Sequence, residues 1–125
     1  MPRLVLRMMA VLSAALALAG CTYNVRVRNE TDHPIRARLV QVDALMKDWI
    51  LAGEKVGPGE AVVLGPVRTM ASFITLETTP MDRDALAPSK RAVLPGSHAF
   101  RIGIEDDEHG PRLLLQSAKW RDLGP

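Results

Sequence analysis

The sequence is poor in the residues that catalysis and crosslinking rely on. One cysteine, three histidines, two tryptophans, one tyrosine and two phenylalanines are spread over 125 residues. A lone cysteine, Cys21, excludes an intrachain disulfide. His33, His98 and His109 all fall at predicted turns, and none is flanked by a nucleophile motif. Ser97 and His98 are neighbours, but adjacent residues of a strand point to opposite faces, and no G-x-S-x-G elbow accompanies them. Each histidine therefore reads as an exposed turn residue. No carboxylate pair is marked out among the 14 acids as a glycosidase pair would need. The chain is expected to be no enzyme and to carry no cofactor.

Long apolar runs are missing too. A bilayer-spanning helix needs about 20 apolar residues, whereas the longest stretch, residues 8–19, has about a dozen and is interrupted by Ser13. An excess of one charge is absent once the chain is divided at Cys21. Two of the 16 basic residues, Arg3 and Arg7, precede it and all 14 acids follow it, so the part from Cys21 onward has 14 of each sign. That balance gives no reason to expect a nucleic-acid partner.

What the first 21 residues do contain has an order. Arg3 and Arg7 form a positive start, the apolar stretch follows, and small residues precede Cys21, as in a secretory signal. Leu18-Ala19-Gly20-Cys21 resembles the lipobox of bacterial lipoproteins. The resemblance implies that the Cys21 thiol receives a diacylglyceryl group and that cleavage falls between Gly20 and Cys21. It also implies acylation of the new amino terminus. Two or three acyl chains hold a protein stably where one is marginal. On this reading residues 1–20 are a signal peptide, and residues 21–125 are one domain whose partner is the membrane itself. Thr22 stands where an Asp in that family signals retention at the inner membrane, so the outer membrane, facing the periplasm, is expected in a double-membraned cell.

Beyond Cys21 the dominant period is two. Tyr23, Val25 and Val27 alternate with Asn24, Arg26 and Arg28, as a strand with one buried face requires. Ile35, Ala37 and Leu39 alternate with Arg36 and Arg38 before the phase changes at Leu39-Val40, which suggests a bulge or burial on both faces. Further strands are expected over 49–56, 61–64, 72–78, 91–94, 99–105 and 112–116. Turn signals separate them, notably Gly57-Pro58-Gly59, Leu94-Pro95-Gly96 and residues 106–111. Val56-Gly57-Pro58-Gly59 and Val93-Leu94-Pro95-Gly96 share a V-x-P-G pattern at the turn into a new strand. Seven or eight short strands with such turns predict an all-β fold, a small antiparallel sandwich or alternatively a small barrel.

Three local features bear on binding. Asn29-Glu30-Thr31 has the spacing of a glycosylation acceptor but reads as a hairpin connection. Glu105, Asp106, Asp107 and Glu108 are candidates for oxygen ligation of Ca²⁺, against the plainer reading of a solvated hairpin tip. Arg26, Arg28, Arg36 and Arg38 lie on the polar faces of two consecutive strands. If residues 29–34 join those strands as a hairpin, four guanidinium groups share one surface near the lipid and can meet anionic headgroups or another anionic envelope component. The function expected is a membrane-anchored binding or scaffolding module, its partner another envelope protein or an anionic envelope component. The alternatives are a calcium-binding structural domain and an envelope hydrolase.

Overall fold

The computed structural model describes residues 20–43, 45, 47–82 and 85–123. The signal segment expected over residues 1–20 lies, apart from Gly20, outside them. Eight strands run in chain order: β1 (Cys21–Asn29), β2 (Ile35–Val42), β3 (Asp48–Val56), β4 (Ala61–Thr69), β5 (Ile74–Pro80), β6 (Ser89–Val93), β7 (Gly96–Asp107) and β8 (Gly110–Ala118). A short 3-10 turn, Trp120–Leu123, follows. The strands form two open four-stranded sheets, β4-β1-β7-β8 and β3-β2-β5-β6, so the fold is a sandwich and not a closed barrel.

The period-two pattern places the core. Tyr23, Val25 and Val27 of β1 face Ile35, Ala37 and Leu39 of β2 and Leu76 of β5 across the interior, with Phe100, Ile102, Leu113 and Leu115 completing it. At roughly 1.5–3 kcal/mol for each large apolar side chain taken from water, this layer is the main force holding the sheets together. The phase change at Leu39-Val40 is a register shift against β3, where Leu51 is the extra residue and packs against the core. A second shift sets Gly65 and Pro66 of β4 opposite Asn24, which extends β4 beyond the expected Leu64 to Thr69. A cis peptide bond joins Gly65 to Pro66.

Three expectations need correction. The sandwich is not wholly antiparallel, because β1 and β7 pair in parallel, from Tyr23 with Gly96 to Asn29 with Ile102. The expected turn over residues 106–111 shrinks to Glu108 and His109, since β7 and β8 stay paired up to Asp107 and Gly110. The third correction reaches the candidate site: β1 and β2 are not a hairpin. Residues 30–34 carry the chain from one sheet to the other.

Asn29 explains that crossing. Its side chain is wholly buried, and its amide donates to the carbonyls of His33 at 2.6 Å and Val56 at 3.0 Å. Its carbonyl oxygen accepts from the Thr31 amide at 2.9 Å and the Thr31 hydroxyl at 2.6 Å. One residue thereby ties the end of β1 to the turn after it and to β3 of the opposite sheet. The glycosylation spacing at Asn29-Glu30-Thr31 is thus a buried clasp. At the other end of the sandwich the Tyr23 hydroxyl donates to the Ala71 carbonyl at 2.7 Å. Burial pushes that phenol above its ordinary pKa, so it stays a donor.

Both V-x-P-G turns make the same move. Val56 and Val93 are buried at the ends of β3 and β6, and each turn passes the chain into the first sheet, where β4 and β7 flank β1 on its two sides.

Candidate functional site

Cys21 is the first residue of β1, paired with Thr69 and half-buried against the edge of the core. The registers show which segments share its end of the sandwich. Val42 pairs with Asp48, Ile74 with Val93 and Tyr23 with Gly96, so the loops after β2, β4 and β6 gather around Cys21. The Thr69 hydroxyl bonds the Gln41 side chain and joins the two sheets there. A depression of about 410 Å³ lies between the segments 40–43 and 70–75. Asp43 shapes the loop between β2 and β3, accepting from the amides of Leu45 and Lys47 and from the Trp49 indole, each at 2.9 Å. The Trp49 bond, then the Lys47 amide, hold its carboxyl below the usual carboxylate range.

The four arginines are split. Arg26 and Arg28 lie on the outer face of the first sheet, and Arg36 and Arg38 on the outer face of the second, with the core between them. The expected common surface therefore does not form. Alternation along a strand says which residues share that strand's face, but the pairing of strands decides whether two faces coincide. Arg26 donates to the Trp120 carbonyl at 3.4 Å, with its guanidinium carbon 5.8 Å from the centroid of the Trp120 ring. Arg28 donates to the Leu123 carbonyl at 3.0 Å. These two residues hold down the 3-10 turn, whose Leu123 is buried. Arg38 pairs with Glu77 at 3.1 Å, and Lys90 reaches the same carboxylate at 3.3 Å, forming a row across β2, β5 and β6. Among the described residues Arg36 makes no ion pair.

Replacing Arg26 and Arg28 together with Gln is accordingly expected to loosen the C-terminal turn and cost about 1–2 kcal/mol, since charged donors to carbonyls are worth more than neutral ones but these are only partly buried. Hydrogen exchange of the amides at 120–123 should accelerate while exchange within β1 and β7 stays slow. Unchanged protection at 120–123 would show that the arginines do not hold the turn.

Of the three histidines only His109 is exposed as expected; His33 and His98 are half-buried. His33 lies in the crossing after β1, 3.3 Å from the Asp82 carboxylate, and His109 sits at the β7–β8 tip. His98, expected at an exposed turn, lies inside β7 opposite Val25, half-buried, and its enclosed Nε2 has no hydrogen-bond partner among the described residues. Strand β7 begins at Gly96, earlier than the turn residues suggest, because β1 offers it a parallel partner from Tyr23 onward.

Glu105, Asp106, Asp107 and Glu108 are exposed along the end of β7 and its tip. Arg112 lies 3.8 Å from Glu105 and 3.5 Å from Asp107, which brings the two acids to one counterion. Among the described residues no three His, Cys, Asp or Glu side chains converge as metal ligands would. The geometry thus defines a β-sandwich module with Cys21 at one end and most of its carboxylates at the other. No protein-family model matches the chain, and no curated protein matches it.

Proposed function

We propose that this protein is a bacterial lipoprotein whose sandwich is held at a membrane by lipid on Cys21 and serves there as a binding or scaffolding module. The observation that carries the reading is the coincidence of Leu18-Ala19-Gly20-Cys21, with the only cysteine of the chain, and the first residue of β1. A lipid at Cys21 would place the domain directly on its anchor with no linker. Thr22 favours the outer membrane of a double-membraned cell, with the domain facing the periplasm. The module has no catalytic step in this reading. Its partner is another envelope protein or an anionic envelope component. Because the arginines stand on opposite faces, an anionic partner would meet Arg36 and Arg38 on one side and not all four at once.

Changing Cys21 to Ser tests the anchor. The expected result is complete loss of labelling by a fatty-acid analogue, with the chain left as uncleaved precursor or released to the soluble fraction. Serine is nearly the size of cysteine and the position is only half-buried, so a β-type circular dichroism spectrum should persist in that variant. Labelling of Cys21→Ser at the unaltered level would remove the assignment.

A further inference from the structure

We propose that the Cys21 end of the sandwich is seated in the lipid interface, with the loops after β2, β4 and β6 among the headgroups and the acidic end turned away. This rests on Cys21 as the lipid-bearing residue and adds which surface of the domain meets the bilayer.

The distribution of exposed apolar side chains points there. Leu45 (79%), Met70 (72%), Leu94 (64%), Ile50 (59%), Trp49 and Phe73 (each 56%) are the most exposed large hydrophobic residues. They come from three separate loops and the start of β3, yet the strand registers bring all of them to the end where β1 begins. Elsewhere on the described surface Val63, Met81 and Ile104 are the most exposed, at 41–45%. Single exposed apolar residues are ordinary, but a set drawn from independent loops onto one end marks a surface that is covered in use.

Acidic residues gather along the same axis toward the far end, where Arg36, Lys55, Arg101 and Arg112 offset part of their charge. At the Cys21 end the described charged residues are Asp43, Lys47, Asp48 and Arg68, two of each sign, and the Asp43 carboxylate is already engaged by its own loop. Glu30, Asp32, Glu60, Asp82 and the run from Glu105 to Glu108 all lie toward the opposite end. Nine residues of β1, at about 3.3 Å each, separate the two ends by roughly 30 Å. The potential of anionic lipids fades within about 8 Å at physiological salt, so those acids escape repulsion in this orientation and meet it in any other. The occupant that fits an apolar, nearly neutral end bearing its own lipid is the bilayer interface, and Trp49 is the side chain type enriched at that depth.

The two tryptophans allow a direct test. The full chain is produced in a lipidating bacterium, its fatty-acid label is read, and the purified protein is reconstituted into phosphatidylcholine–phosphatidylglycerol vesicles whose acyl chains are brominated near the headgroup. In a Trp120→Phe background Trp49 should lose most of its emission to the brominated lipid. In a Trp49→Phe background Trp120, on the outer face of the first sheet, should keep its emission. Adding Phe73→Ser and Leu94→Ser should abolish the Trp49 quenching while leaving the label intact. Labelled protein with unquenched Trp49 would overturn the seating and leave the anchor standing, as a second copy or an envelope protein covering this end would produce. Equal quenching of both tryptophans would overturn the orientation. A chain without label would overturn the anchor and this proposal with it.

Discussion

Asn29→Asp should lower the free energy of unfolding by about 3–5 kcal/mol at neutral pH, although the two side chains have the same shape. Asn29 uses its full capacity: two N–H donors toward the carbonyls of His33 and Val56, and two acceptor sites filled by Thr31. Thr31 in turn accepts from the His33 amide at 3.2 Å. An aspartate keeps the acceptor side and loses both donors, so a buried carboxylate oxygen faces two carbonyl oxygens. A buried group left without its partner costs roughly 1–3 kcal/mol, and more when charged. Asn29→Ala removes the bonds without introducing a charge and should cost about 3 kcal/mol.

The pH dependence separates these effects. Burial, with one carboxylate oxygen against the His33 and Val56 carbonyls, raises the pKa of an aspartate at this position above its unfolded value, so protonation favours the folded state. The deficit of Asn29→Asp should therefore shrink as pH falls toward the unfolded carboxylate pKa of about 4, while that of Asn29→Ala stays level by comparison. Denaturant titrations at both pH values measure it. For a domain of about a hundred residues each kcal/mol is roughly 4–8 °C in melting temperature, so the neutral-pH effect is large. Wild-type stability of Asn29→Asp at pH 7 would mean that the clasp does not organise the crossing.

Gly65→Ala should cost about 3 kcal/mol through the backbone alone. Gly65 has φ 109°, and a Cβ built there would stand 2.7 Å from the Tyr23 carbonyl oxygen and 3.1 Å from the Val67 nitrogen. Both neighbours are main-chain atoms of the paired strands β1 and β4, so neither can swing aside. The unfavourable backbone region costs on the order of 1–3 kcal/mol and the collision adds to it. Gly103→Ala supplies the contrast, because no atom lies within 4 Å of a Cβ there and its φ needs no glycine. In thermal unfolding the Gly103 variant should match or slightly exceed the wild type while the Gly65 variant melts well below it. Equal melting of the two would refute the account of the bulge.

Gly65 and Asn29 also mark where reading by sequence stops. A glycine inside an apolar stretch suggests a bulge in general, but that a carbonyl of β1 fills the space beside Gly65 is known only once β1 has chosen β4 as partner. Asn29 read as a turn residue because Asn, Glu and Thr are turn formers, and its burial follows from the crossing between sheets. The arginines show the same limit more plainly. Arg26 and Arg28 do share a face, and so do Arg36 and Arg38, as alternation demands, but a five-residue connection is compatible with a hairpin or a crossing. The competition was decided by β7 and β4, which bracket β1 and leave no edge for β2.

By itself the sequence determined that about eight short strands form and which side of β1 and β2 is buried, because the period of two and the Gly and Pro turns are local properties enforced by backbone geometry and apolar burial, whereas Ile104, in phase with Phe100 and Ile102, is exposed. It also carried the whole case for Cys21, since a lipobox resemblance is a run of four residues. Only the tertiary structure decided that the chain crosses between sheets after β1, that β1 and β7 run parallel, and that apolar loops far apart in sequence meet at the Cys21 end while most of the acids lie toward the other. Those outcomes depend on which strands pair across long separations, and pairing is settled by the packing of the whole core, to which no single segment holds the answer.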